Sequence, residues 1–184
     1  MSQENSVTPR RPRPLLDRVL VRVPMLAHVF LAWCVRLRPS SALRRRLTDW
    51  TFKRGFDAVN RHDPDAVAPL GYEPDAEVWV SGVEVVTERD CYRGPQEYRD
   101  FFVELDDVWS DWWWAVRTVR VAGRRTVVAQ LDLTARGRVS DAEVTVNGAG
   151  SVYHLSPRGR IARQDFLIEE NGWRRALEAV GLSE

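Results

Sequence analysis

Residues that hold metals or close disulfides are scarce in this chain of 184 residues. Its two cysteines, Cys34 and Cys91, show no CxxC spacing and stand near no histidine cluster, so neither a thiolate metal site nor a disulfide framework is indicated. The three histidines, His28, His62 and His154, are too dispersed to make a zinc set. No metal and no other cofactor is expected. Long hydrophobic runs are missing too. Val23 to Val35 runs without a formal charge, yet it contains Pro24 and His28 and falls well short of the ~20 residues that a spanning helix needs. A secretory leader would take Arg10 to Arg22 as its basic part and Ser40-Ser41-Ala42 as its small residues. An arginine-rich helix follows where a mature chain would begin, so a cytoplasmic location is expected.

Net charge is nearly absent at +1, but it is unevenly spread. Residues 1–62 hold 13 Arg/Lys against 4 Asp/Glu (+9), and residues 63–184 hold 14 against 22 (−8). The basic end suits either an anionic surface or the chain's own acidic half. With 44% hydrophobic residues, 29% charged and eight tryptophans, the composition is that of a folded protein, and 21.2 kDa suits one domain.

Residues 1–14 are polar and rich in Pro and Arg, and read as a disordered tail. An apolar helix follows from Leu15 to Leu37, interrupted or entered at Pro24. It either packs on the outside of the domain or serves as an interfacial anchor, so a peripheral membrane contact through residues 15–38 is one reading. Pro39-Ser40-Ser41 breaks the chain and caps a helix from Ala42 to about Asn60, whose apolar face is Leu43, Leu47, Trp50, Phe52, Phe56 and Val59. "RRR" at 44–46 on that helix has no interleaved aromatic platform for nucleic acid and reads as a solvated face, so no nucleic-acid partner is expected. A short helix capped by Asp63, a strand from about Ala76 and a second strand ending at Gly94 come next. Tyr98, Phe101, Phe102, Leu105, Val108 and Trp109 then fall at helical spacing. Four segments of period two follow as a meander, with "NG" at 147–148 read as a bulge that bends the sheet. A last helix covers Gly172 to Val180.

In "DWWWAV" (111–116) the strand period puts Trp112 and Trp114 on one face and Trp113 on the other. Large indoles on both faces call for a sheet covered on both. Helices supply one cover, and a second subunit or the N-terminal helices the other.

This order of elements, with "FDAVNRHDPDAV" (56–67), "PDAEVWV" (74–80), "YRGPQEYRDFF" (92–102), "VYHLSPRGRIARQDF" (152–166) and "ALEAVGL" (176–182), resembles the nuclear transport factor 2-like superfamily, and its SnoaL-like members most. The likeness spans residues 43–182. It implies an α+β cone, a curved, mainly antiparallel sheet wrapped around helices, with residues 15–41 as an extra helical segment before a SnoaL-like domain of 42–184. It further implies a deep apolar pocket and a homodimer through the sheet's outer face. Expected pocket liners are Trp50, Phe56, Tyr72, Trp79, Phe102, Trp112, Trp114, Gln130 and Tyr153.

Chemistry is less plain. The ketosteroid isomerase pattern would put its base near Trp79 or Val80, its tyrosine near Thr51 and its oxyanion acid near Ser151, none of which has the required chemistry. Limonene epoxide hydrolase's pattern would use Asp132 and Asp165, with Gln130 standing where that pattern has Arg. Counted from Ile161, Asp165 lies one residue short, and a slip of one residue turns it outward and brings Phe166 to the pocket. A SnoaL-like cyclase would pair His154 with Asp165. Asp132, His154 and Asp165 are therefore the candidate catalytic group, for cofactor-free cyclisation, isomerisation or epoxide hydrolysis of a small, largely apolar molecule. The alternative is a non-catalytic binder whose Arg-rich N-terminal helices dock to a partner or membrane surface.

Overall fold

The computed structural model describes residues 12–82 and 89–183. Two helices, α1 (Leu15–Arg22) and α2 (Pro24–Arg36), meet at 97° across Val23. Pro24 opens the second, where a missing N–H costs nothing. α3 (Ala42–Val59) starts where Ser41 Oγ accepts from the Arg44 N–H, and α4 (Pro64–Gly71) starts at Asp63, whose carboxylate accepts from Ala66 N–H. Then come β1 (Tyr72–Ser81), β2 (Cys91–Arg93), α5 (Gly94–Val108), β3 (Trp109–Val121), β4 (Thr126–Gly137), β5 (Glu143–Leu155), β6 (Ile161–Leu167) and α6 (Gly172–Ala179). The second expected strand survives as β2, and the stretch before it lies partly outside the described residues.

Among the described residues, one sheet holds all six strands in the order β2-β1-β6-β5-β4-β3. β3 to β6 form the expected antiparallel meander, and β1 lies parallel to β6. The register shifts between Leu131 and Leu133 opposite Asn147-Gly148, with Gly148 at φ +75°. That is the anticipated bulge, and a positive φ suits glycine there. β3 is an edge strand, and Asn60 blunts it: its side-chain amide donates to Trp114 O and accepts from Trp114 N, both at 2.8 Å.

The concave face carries the main core. Val127, Ala129, Leu131 and Leu133 of β4 share it with Val78, Tyr153, Phe166, Trp112 and Trp114, against Phe101, Phe102 and Leu105 of α5. Val128 and Val152 face the other way, under Trp173, Ala176 and Leu177 of α6. The outer cover is thus partly α6, not the N-terminal helices, which pack on the concave side. Trp113 points outward and is half exposed.

Two expectations for α3 need correction. Leu43 and Trp50 are about half exposed. Arg44, read as solvated, is only 1% exposed. Its guanidinium donates to Val35 O at 2.9 Å, Leu37 O at 2.8 Å and Arg124 O at 2.5 Å. The first two are free carbonyls at the end of α2, where the helix dipole favours a cation. Burial pushes the Arg44 pKa down from its ordinary value.

Candidate functional site

Between the concave face and α1 to α5 lies a cavity of about 470 Å³. Its walls are mostly apolar, with Leu20, Ala27, Phe30 and Leu31 from the N-terminal helices and Phe52, Phe56, Trp114 and Phe166 from the cone. Of the expected liners, Trp50, Phe56, Tyr72, Trp114 and Tyr153 are there. Phe102 and Trp112 are buried but not in its wall; they meet edge to face at 5.7 Å between ring centroids, with Trp112 Nε1 donating to Asp106. Trp79 and Gln130 are not in the cavity wall, because their strand parity puts them on the outer face.

The same parity governs the three candidate catalytic residues, none of which lines the cavity. Asp132 shares its stripe with Val128 and Gln130, the face under α6. One of its oxygens accepts from Gly148 N at 2.9 Å, fixing the bulge, and the other pairs with Arg117 Nε at 2.5 Å. His154 and Asp165 are brought together, Nε2 to Oδ2 at 3.6 Å, but on the outer face, where Arg163 holds Asp165 at 2.6 Å. Arg163 in turn lies 5.4 Å over the Trp79 ring, whose Nε1 donates to Glu77. Asp132 belongs to β4, separated from β6 by β5, and joins neither partner. On β6 the slip foreseen from Ile161 is what occurs: Gln164 and Phe166 point inward, and Asp165 outward.

What the cavity does contain is a buried hydroxyl–amide cluster that sequence reasoning did not assemble. Tyr72 donates to Gln164 Oε1, and its hydroxyl lies 3.4 Å from that of Tyr98. Gln164 Nε2 reaches Ser151 Oγ at 3.2 Å and the Tyr153 hydroxyl at 3.4 Å. Ser151 hydrogen-bonds Tyr153 in turn. The cluster holds one proton on each of four hydroxyls and two on the amide, six in all, for five contacts among its members. The cluster thus carries one proton more than its internal contacts use, whichever way the amide is turned. Burial raises the pKa of all three phenols, that of Tyr98 to about 12. They stay neutral, as donors and not as bases.

Among the described residues, Asp17 of α1 is the one carboxylate in the cavity wall. Its two oxygens are each taken at 2.5 Å, one by Arg54 and one by Arg61. Cys34 also lines the wall, and burial pushes its thiol up. Among the described residues, no three His, Cys, Asp or Glu side chains gather where they would hold a metal ion.

A family model for the SnoaL-like domain matches residues 52–164, more than half of the chain. The chain belongs to the SnoaL-like domain family. The sequence matches no curated protein. Solved structures share the fold of this SnoaL-like domain at low identity. TerC, crystallised with polyporic acid, is 14% identical with a TM-score of 0.57, over 71% of this chain and 97% of that one. An NTF2-like protein of unknown function from Burkholderia pseudomallei is 16% identical with a TM-score of 0.58, over 70% and 95%. RV0760c from Mycobacterium tuberculosis, in complex with estradiol-17beta-hemisuccinate, is 13% identical with a TM-score of 0.53, over 64% and 89%. α1 and α2 precede the matched segment of the SnoaL-like domain, and no single helix among the described residues is long and apolar enough to cross a membrane.

Proposed function

We propose that the protein binds a small, largely apolar organic molecule in the cavity and orients it by one acceptor oxygen, a carbonyl or an ether. The observation that carries this reading is the Tyr72–Tyr98–Gln164–Tyr153–Ser151 cluster, which holds one proton more than its internal contacts use and is set in mostly apolar walls. An acceptor placed there completes a hydrogen bond that the protein leaves open, whereas a purely hydrocarbon ligand does not. Bound small molecules in TerC and RV0760c support a cavity with this purpose.

The cluster can polarise a carbonyl, which is the electrophilic half of acid–base catalysis. The basic half has no free group in the cavity among the described residues, because both oxygens of Asp17 are committed to arginines and Asp132, His154 and Asp165 lie on the other sheet face. Ligand binding is accordingly the function the geometry supports best.

Fluorenone and fluorene differ only in the carbonyl and make a direct test. Calorimetric titration of the full chain should find fluorenone tighter by roughly tenfold, the worth of about one buried hydrogen bond. Equal affinity would remove the donor from the argument, and binding of neither compound would remove the cavity.

A further inference from the structure

The N-terminal helices leave an apolar face uncovered. On α2, Met25, Leu26, Val29 and Trp33 are 69%, 52%, 63% and 47% exposed, and their spacing puts them along one side of the helix. Leu15 and Val19 of α1 are exposed as well. Arg22 and Arg36 end these two helices, and Arg38, Arg45 and Arg46 follow in the next turn and at the start of α3, all exposed and none with a carboxylate partner among the described residues. Residues 12–56 hold ten Arg and Lys against Asp17 and Asp49 only, and both of these acids are already paired.

Apolar surface accompanied by unpaired cations on the same and the next helix selects among occupants. A second copy docked face to face would set arginines against arginines. An anionic bilayer surface answers both features, taking the apolar side chains at the acyl boundary and the guanidiniums among the headgroups. Helices of eight and 13 residues, bent by 97°, are suited to lie along such a surface. The cavity opens in the same place. Leu16, Leu26 and Trp50 line it and are also 42%, 52% and 46% exposed, which marks its mouth within this face.

We propose that this face docks on an anionic lipid bilayer and that the cavity exchanges its apolar occupant with the bilayer through that mouth. The exchange rests on the ligand-binding reading above, while the docking does not.

Flotation of the full chain with vesicles tests the docking. The protein should rise with vesicles of equal parts phosphatidylglycerol and phosphatidylcholine, and less with phosphatidylcholine alone or at high salt. Met25→Ser with Val29→Ser, and separately Arg36→Glu with Arg46→Glu, should each cut partitioning by roughly tenfold. Fluorescence of N-phenylnaphthylamine in vesicle-free buffer reports whether these variants keep a folded, ligand-binding cavity. No flotation of the wild type, or equal flotation of wild type and variants, overturns the docking. A wild type that forms a larger assembly which the variants dissolve gives the face to a second copy and also overturns it. Probe binding alone decides the cavity reading, so the two can fail separately. For exchange, transfer of the probe from vesicles to protein should speed up with vesicle concentration. A rate independent of vesicle concentration means transfer through water and overturns the exchange.

Discussion

Replacing Gln164 by glutamate changes the proton count of the cavity cluster with little change of shape. Gln164 is 1% exposed and touches Tyr72, Ser151 and Tyr153. In Gln164→Glu the two amide protons are lost. An ionised carboxylate leaves four protons for the same five contacts, and a protonated one leaves five for five. Neither form has a proton to spare. The preference for fluorenone over fluorene, roughly tenfold in the wild type, should therefore fall to parity, read by calorimetric titration of both ligands. The variant should also acquire a pH dependence of stability. Burial disfavours the charged form, so the introduced carboxyl has a folded pKa above its unfolded value near ~4.3. Its neutral form is then favoured in the native state. Stability is fully present below the unfolded value and is lost as pH rises through the folded one. Thermal melts should thus show the largest deficit relative to wild type at neutral pH, shrinking toward pH ~4. A variant that keeps the full ketone preference would refute the donor argument, because no rearrangement of the cluster restores the missing proton.

The other predictions concern the frame around the cavity. Asp132→Asn should weaken the Arg117 pair and cost about 1 kcal/mol in denaturant melts with fluorenone affinity unchanged; a tenfold loss of affinity would mean that Asp132 acts on the cavity after all. Gly150→Ala would put a methyl 2.1 Å from Gly172 O and should cost roughly 3 kcal/mol by forcing α6 off the sheet. Burial pushes the Asp106 carboxyl up, but hydrogen bonds from His62 and Trp112, with the charges of His62 and Arg138, outweigh it and hold the carboxyl below its ordinary value. That contribution is present above the unfolded value near ~3.9 and is lost as pH falls through the lower folded one. Asp106→Asn should accordingly flatten the acid limb of the stability curve, by under ~1 kcal/mol for so exposed a group.

The elements set by local signals were legible in the sequence. The spacing of Tyr98, Phe101, Phe102 and Leu105 required α5, the period of two required β3 to β6, and Asn147-Gly148 placed the bulge. The facing of β4 was not legible. Both its stripes end under helices: Val127, Ala129 and Leu131 under α5 and its neighbours, and Val128 under α6. Hydrophobicity alone therefore did not say on which side Asp132 would fall. On β6 one residue decided everything, since moving the register by one exchanges Asp165 for Gln164. Glutamine is an unremarkable residue on a strand, and only the meeting of β1, β5, β6 and α5 makes it the link between Tyr72, which also meets Tyr98, and the Ser151–Tyr153 pair. Arg44 escaped notice because two more arginines follow it. Its phase matches Thr48, Thr51 and Gly55, the small residues that α3 turns to the cavity.

The N-terminal segment changes what family likeness can say about the ligand. The family match begins at residue 52, yet Leu20, Ala27, Phe30, Leu31 and Cys34 of α1 and α2 make up one side of the cavity. Arg44 ties the end of α2 to the β3–β4 turn through Leu37 O and Arg124 O, and Asp17 ties α1 to α3 and its C-terminal turn through Arg54 and Arg61. The wall is thus fixed by buried charge at both of its ends. A charge buried at 5% or 1% exposure is costly unless its partners stay in place, so these contacts hold the two helices in one position. If the cavity binds a ligand as proposed, the ligand's shape would be read by residues that lie outside the matched segment, and its acceptor oxygen by residues on the cone. Two proteins with the same cone and different N-terminal helices would accordingly select different molecules with the same polar group.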